Sequence, residues 1–385
     1  MLFLKNPTWI FFILLFVLLG GTTWITCRWT ILQAKPSQQV RLKRLFFYSN
    51  LLCIAGLAGG KLLSLGNAFS GYALQVLVLW FAWQLLMAAF FLLWRLGGRF
   101  CGRGTAYDPQ RRIWLKSAFW LPAAAGALSI YGGLEESQQI EEVHIPLQIK
   151  NLPEAADHFR IAQLSDVHLG YFFSLTRLQQ VLDQIVMQKP DVLMVTGDLF
   201  DDVEANEEAV RILDAYVDAF PQGIYFCWGN HEYMRQPAKI ERWLKKSRIK
   251  VLKGQADLLI GGEHPVYVLG VDYPLDRSKD QEQQCEDTLQ SALADVPEES
   301  IKILMAHHSI FIEYAFQAQV DLTLSGHTHG GQIGFLGMPL FPLFKYTRGM
   351  YRQDHMYGYV NSGAGSWCPF RLGCPPEITY FTLQA

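Results

Sequence analysis

The sequence is short of acid where it begins. Residues 1–134 contain 13 Lys/Arg and a single acidic residue, Asp108. Cysteine is also scarce, seven in 385 residues, which excludes a disulfide-stapled scaffold. Charged residues make up only 18% and hydrophobic residues 50%, the reverse of the composition that leaves a chain disordered. No internal repeat or low-complexity tract is present. The missing acid is found at the back, where residues 135–385 hold 20 Lys/Arg against 34 Asp/Glu. That balance argues against nucleic-acid binding, which rests on neutralising phosphates with Lys and Arg. A basic, apolar front is joined to an acidic back of mixed composition, and the length leaves room for two or three domains.

The front predicts a four-helix transmembrane region over residues 1–134. Its apolar stretches are Trp9–Thr26, Leu45–Leu65, Tyr72–Trp94 and Ser117–Leu134, each near the roughly 20 residues a helix needs to cross a bilayer core. Ser117–Leu134, with Pro122 and an Ala/Gly run, is the weakest. Read alone, Trp9–Thr26 also resembles a cleaved signal segment. Trp9, Trp24, Trp94 and Trp120 lie near the expected ends, where amphipathic rings favour the interface. One connecting loop carries Arg28, Lys35, Arg41, Lys43 and Arg44, and the other Arg95, Arg99, Arg103, Arg111, Arg112 and Lys116. Basic short loops stay cytoplasmic, so four crossings put everything after Leu134 outside. The span interiors offer only Gln75, Gln84 and a few Ser/Thr. A transporter marks its pathway with ionisable residues, so an anchor is expected instead.

After a linker and first strand over 135–158, the texture becomes that of a layered α/β domain over 159–385. Val143, Ile145, Leu147 and Ile149 alternate with polar residues, a strand pattern. Short apolar runs follow at Arg160–Leu164, Asp191–Val195, Gly223–Cys227, Val266–Val271, Ile301–Met305 and Asp321–Leu324. Helical periodicity between them, clearest over Leu175–Gln188, predicts an α/β sheet with covered faces.

Five polar clusters end these runs: Ser165-Asp166-Val167-His168, Gly197-Asp198-Leu199-Phe200-Asp201, Gly229-Asn230-His231-Glu232, His307-His308 and Gly326-His327-Thr328-His329-Gly330-Gly331-Gln332. Residues at the carboxyl ends of strands project into a common crevice. Carboxylate plus imidazole without thiolate suits Mn, Fe, Zn, Co or Ni. Asp166, His168, Asp198, Asn230, His307, His327 and His329 are seven potential ligands, more than one ion takes, which predicts two divalent ions sharing a carboxylate. On extended backbone, D-x-H and H-x-H would each point both side chains one way. Any one cluster alone is an ordinary turn or cap.

In this order the clusters resemble the calcineurin-like metallophosphoesterase superfamily, from about Arg160 to Leu383. The run His327–Gln332 and the tail Val360-Asn361-Ser362-Gly363, Pro369-Phe370-Arg371 and Pro376-Glu377-Ile378 resemble its bacterial membrane-associated phosphodiesterase branch. The resemblance implies a four-layer α/β/β/α sandwich. It implies Asp166, His168 and His329 on one ion, Asn230, His307 and His327 on the other, and Asp198 bridging. His307 is preferred to His308 because it directly follows the apolar run. His231 matches a histidine beside the phosphate and Asp201 its orienting acid. The expected reaction is hydrolysis of a phosphate ester, a diester before a monoester, by a hydroxide bridging the ions. Arg371 is a candidate grip on a phosphoryl oxygen, a solvated loop arginine being the alternative. Lipid-linked phosphate is a candidate substrate, because the loop from Phe335 to Phe344 is apolar. Alternatives are a phosphoprotein or nucleotide phosphatase, or a non-catalytic membrane scaffold or transporter. Cys368 and Cys374 are close enough in sequence to bridge, while His144, His158, His264 and His355 lack partners at ligand spacing.

Overall fold

The structure is a computed structural model. It describes residues 20–30, 35–62, 67–100, 116–275, 281–335, 337–340, 342–366 and 368–385. The chain divides into two compact units, residues 1–135 and 136–385.

In the first unit, residues 20–30 are helical, followed by α1 (Pro36–Leu62) and α2 (Asn67–Phe100). Most of the expected stretch Trp9–Thr26 lies outside the described residues. The four-crossing expectation needs correcting. Among the described residues one helix, Gly71–Gly98, is long and apolar enough to cross a membrane. The stretch Ser117–Leu134 lies within an unbroken helical run over 116–138 but is not one regular α-helix. It runs as a 3-10 turn (Ala118–Trp120), α3 (Leu121–Ile130) and a π turn (Tyr131–Glu135). Pro122 near the start brings no N–H and Gly132-Gly133 fall in the π turn, so regular α geometry is confined to ten residues while the helical course continues to residue 138. The few polar groups here bond one another. Asn50 Oδ1 accepts from Trp80 Nε1 (2.6 Å) and Gln84 Nε2 (3.1 Å). Gln75 Nε2 donates to the Gly133 carbonyl (3.0 Å) and Ser129 Oγ to that of Leu79 (2.8 Å). Without water, such bonds are where buried amides must find partners, so these side chains act as cross-links between helices.

The second unit is built on two six-stranded sheets. The first has the order β1 (Glu141–Gln148), β14 (Glu377–Gln384), β2 (Arg160–Leu164), β3 (Val192–Val195), β4 (Ile224–Phe226), β5 (Lys250–Val251). The second runs β12 (Gly349–Gln353), β13 (Met356–Val360), β9 (Leu322–Ser325), β8 (Ile301–Met305), β7 (Val266–Gly270), β6 (Gln255–Ile260). The pairs β2–β3–β4–β5 and β13–β9–β8–β7 are parallel. Parallel strands covered on both faces read as continuous apolar runs, and those are the runs the sequence displays. β1 and the closing strand β14 pair in parallel, Glu141 opposite Glu377 through Gln148 opposite Gln384. The segment expected to be linker and first strand therefore forms a sheet edge.

Period-two alternation sorts each strand between two cores. Ile161, Val192, Met194 and Tyr225 meet Val266, Val268, Ile303 and Leu324 between the sheets. Ala162, Leu164, Leu193, Val195, Ile224 and Phe226 face the other way, onto α4 (Leu175–Met187), α5 (Asn206–Ala215) and α7 (Pro237–Leu244). Leu269 and Leu304 pack on α8 (Gln281–Leu293) and α9 (Phe311–Gln317). The layers are helices, sheet, sheet, helices. α4 starts where the Ser174 hydroxyl accepts from the Arg177 N–H (3.1 Å) and buries Leu178, Val181, Leu182 and Ile185, one stripe of a 3.6-residue period. Truncating the inter-sheet core at Ile303 to Ala should destabilise the unit by about 2–5 kcal/mol. Thermal or denaturant unfolding measures this, and a change below about 1 kcal/mol would mean the sheets do not pack here.

Candidate metal centre

The clusters emerge from the carboxyl ends of β2, β3, β4, β8 and β9, so both sheets contribute to one pocket. The local backbone differs from expectation. Asp166 (φ 49°), His168 (φ 50°), Asp198 (φ 52°), His327 (φ 73°) and His329 (φ 51°) are all left-handed rather than extended. Each such residue stores of order 1–3 kcal/mol of strain. Convergence thus comes from kinks at the strand ends, and non-local bonds hold them. The Asp166 N–H donates to Gly197 O (3.1 Å), His168 N–H to Asp198 O (3.0 Å) and Leu169 N–H to Leu199 O (2.9 Å). Two glycines leave necessary room. A Cβ on Gly229 would lie 2.2 Å from Asp198 Oδ1, and one on Gly326 would lie 2.2 Å from Asp166 Oδ2.

Six of the seven expected ligands, Asp166, His168, Asp198, His307, His327 and His329, are brought together with the pair His231 and Asp201. Three clusters have ligand atoms within 4.8 Å of one another: Asp166, His168 and His329; His168, Asp198 and His231; Asp198, His307 and His327. Asp198 belongs to two of them. Its Oδ2 is 3.1 Å from His307 Nε2, 3.8 Å from His168 Nε2 and 3.9 Å from His231 Nε2. Its Oδ1 accepts from the His231 N–H (2.8 Å). Asn230, at the start of α6 (Asn230–Met234), has a buried Oδ1 with no hydrogen-bond partner.

These donors fit divalent cations. His307 Nδ1 donates to the Thr196 carbonyl (2.8 Å), which turns the other ring nitrogen, Nε2, toward the Asp198 carboxylate. His168 Nδ1 likewise donates to Asp201 Oδ2 (3.1 Å), leaving Nε2 3.1 Å from His329 Nε2. A lone pair facing a carboxylate or a second imidazole lone pair requires a proton or a cation between them. The electrostatics show the same demand. Burial alone would push Asp166 up, but His307, His168 and His329 hold its carboxyl well below the usual carboxylate range. Asp198 is likewise driven low against its burial by His307 and His168. Burial disfavours a charged ring at His168, yet the bonds to Asp166 and Asp201 lift its pKa to about 10. Asp198 and Asp166 outweigh burial at His307 and lift it to about 9. Burial and then His307 press His327 down to about 4.

Of the adjacent pair, His307 faces the carboxylates. His308 instead accepts from the Ile310 N–H at Nδ1 (3.1 Å) and stacks on His327 with ring centres 4.7 Å apart. Arg371 needs correcting: it does not face the pocket. It is 0% exposed, and its two Nη groups donate to the carbonyls of His329, Ser362, Gly365 and Cys374. A guanidinium so enclosed cannot reach a phosphoryl oxygen. It ties the His329 turn to the tail instead. Cys368 and Cys374 are unbridged, and Cys374 Sγ approaches Gly330 O (3.0 Å).

Sequence reasoning missed three residues. Glu232, fully buried, accepts from the backbone N–H groups of Asp198 (2.9 Å), Leu199 (2.8 Å), Phe200 (3.3 Å) and Gly229 (2.7 Å). It holds the Asp198 turn against the Asn230 turn. Its place in the Gly229–Glu232 cluster was the only available signal. Arg235 Nε donates to Asp201 Oδ1 (2.8 Å), beside the bond from His231 Nδ1 (2.7 Å). Tyr273, past the end of β7, sets its ring 5.7–5.9 Å from those of His307, His308 and His327. Neither residue had a sequence signal.

Two outcomes are expected. Protons occupy the raised sites of His168 and His307 in the metal-free protein at pH 7, so metal uptake should release protons, and apparent affinity should fall as pH drops from about 9 to 6. Calorimetry in buffers of differing ionisation enthalpy measures this, and proton-neutral uptake would contradict it. Replacing Glu232 by Ala strands four buried N–H groups and should cost about 3 kcal/mol or more. Metal content per chain should fall with it, whereas unchanged content would show that Glu232 does not support the site.

The Calcineurin-like phosphoesterase family model matches residues 159–331. The uncharacterized metallophosphoesterase YkuE of Bacillus subtilis is 32% identical over 72% of this chain and 98% of its own length. A zebrafish transmembrane protein with metallophosphoesterase domain is 29% identical over 67% of this chain and 60% of its own length. An uncharacterized metallophosphoesterase of Aquifex aeolicus is 30% identical over 62% of this chain and 89% of its own. With the ligand-bearing turns at the strand ends already described, the chain belongs to the calcineurin-like metallophosphoesterases, metal-dependent hydrolases of phosphate esters.

Proposed function

We propose that the protein is a membrane-anchored phosphodiesterase working with two divalent ions, drawn from Mn, Fe, Zn, Co and Ni. The observation that carries this reading is Asp198, whose carboxylate lies in two of the three ligand clusters. Asp166, His168 and His329 would hold one ion, Asn230, His307 and His327 the other, with Asp198 shared. Ions bound there would supply a nucleophile from water near neutral pH and neutralise charge on the phosphoryl oxygens.

The chain's own residues do the remainder. His231 is more open than the two other imidazoles nearest Asp198 Oδ2, its side chain 15% exposed against 1% for His168 and 0% for His307. It stands where a substrate enters. Its Nδ1 bond to Asp201 aims Nε2 into the pocket, so His231 is the group that donates a proton to the departing alkoxide. Asp201 aligns His231 and His168 together, and Arg235 fixes Asp201 in turn. The buried donors keep bulk water from reorganising around the phosphoryl group.

Anchoring rests on the helix Gly71–Gly98. Arg95 and Arg99, with the basic residues that follow them, favour the cytoplasmic side for its carboxyl end. The catalytic unit then lies outside when residues 117–134 return across the bilayer, the arrangement we propose. Protease added to intact spheroplasts should then remove a carboxyl-terminal tag, and full protection would place the unit inside.

Two substitutions test the chemistry. Asp198→Asn should lower turnover of bis(p-nitrophenyl) phosphate with Mn²⁺ by about 100-fold or more, and near-normal turnover would end the two-ion reading. His231→Ala should cost about 10²–10⁴-fold on diesters with alkyl leaving groups. The cost should be much smaller with p-nitrophenol, which leaves without a proton. An equal loss on both would remove the proton-donor role.

A further inference from the structure

One segment beside the pocket has no part in the chemistry described so far. Residues 333–344 contain no charged side chain. Within them, β10 (Gly334–Phe335) and β11 (Met338–Pro339) form a small antiparallel hairpin with Gly337 at φ 78° in its turn. Phe335 and Met338 are directly paired across it, so their side chains share one face. Exposure is 63% for Phe335, 65% for Met338, 56% for Leu340 and 81% for Leu343. Leu336 and Phe341 lie outside the described residues. Single exposed apolar residues need no explanation, but several on one short hairpin do.

The base of this hairpin is fixed to the site. The Gly334 N–H donates to Leu372 O (2.7 Å), Leu372 N–H to Gln332 O (2.9 Å) and Leu340 N–H to Ile333 O (2.8 Å). On the return path, the Phe344 ring stands 5.3 Å from that of His327 and 5.6 Å from that of His308, edge-on to both. The apolar surface therefore begins within one ring of a candidate ligand and runs outward. Lys345, which follows it, is paired with Glu313, so the apolar tip has a polar, charge-balanced margin. An apolar tip with a polar margin suits hydrocarbon entered from the headgroup side.

We propose that the 333–344 hairpin inserts its side chains among the acyl chains of a lipid bilayer, so that the enzyme hydrolyses phosphoesters whose alcohol carries a hydrocarbon tail. The substrate half of this rests on the phosphodiesterase reading above. The choice of a bilayer as occupant follows from the membrane-length helix in the same chain and from a stretch of twelve residues, 333–344, without one charge. The pocket would then meet the headgroup phosphate at the depth where lipids present it.

The test uses the full-length chain reconstituted in phosphatidylglycerol vesicles, wild type against the triple variant Phe335→Ser, Met338→Ser, Leu343→Ser. Two diesters share one leaving group: p-nitrophenyl methyl phosphate and p-nitrophenyl hexadecyl phosphate. The variant should lose about tenfold or more in kcat/KM on the hexadecyl ester and keep the methyl activity. Equal loss on both esters, or loss on neither, overturns the proposal. A second measurement is independent of catalysis. A phospholipid with a diazirine in its acyl chain should label the 333–344 peptide on irradiation. Labelling confined to residues 71–98, with none on the 333–344 peptide, also overturns it. If the wild type cleaves neither diester, the phosphodiesterase reading falls, while the labelling still decides the hairpin.

Discussion

Three carboxylates and five imidazoles are packed where water barely reaches, and each sign of charge there depends on the other. Asp166, Asp198 and Asp201 would be driven toward neutrality by burial alone, yet the surrounding rings keep them ionised. His168 and His307 are in turn held protonated by those carboxylates. In the metal-free protein a proton occupies the space that a cation would take. Removing one partner from such a cluster leaves an uncompensated buried charge, a loss of several kcal/mol. This balance explains why the pocket needs so many backbone donors around it.

Those donors are supplied by geometry that strands alone would not give. Five candidate ligands sit at left-handed kinks. Glu232 gathers four N–H groups from two turns, and Arg371 gathers four carbonyls from the His329 turn and the tail. One buried anion and one buried cation thus fix opposite sides of the site without entering it. The two parallel sheets provide the rigid base, because their continuous apolar strands admit no slip of register while both faces are covered.

The apolar first unit and the phosphoesterase unit follow different physical rules. In the first, the few polar side chains are spent on bonds across helices, Gln84 and Trp80 to Asn50 and Gln75 to the Gly133 carbonyl. In the second, the large exposed apolar groups of the 333–344 hairpin stand beside the chemistry.

Much of this was legible in the residues alone. Apolar runs ending in Asp, His and Asn determine both the layered α/β fold and the presence of a metal-binding crevice, since residue type and order carry that information. Six of the candidate ligands come together with His231 and Asp201 at the strand ends, while Asn230 presents a buried, unpartnered Oδ1 one residue before His231. Orientation was decided only by the tertiary structure. Arg371 reads from sequence as a phosphate grip but is enclosed by carbonyls from distant turns. D-x-H reads as extended but is kinked by bonds to the Gly197–Leu199 turn. Glu232 and Arg235 are ordinary residues until folding sets them against backbone and carboxylate from other strands. Ser117–Leu134 reads as one span but changes helix type along its length. A side chain's direction depends on torsions and partners far away in the chain, and composition and spacing do not encode either one.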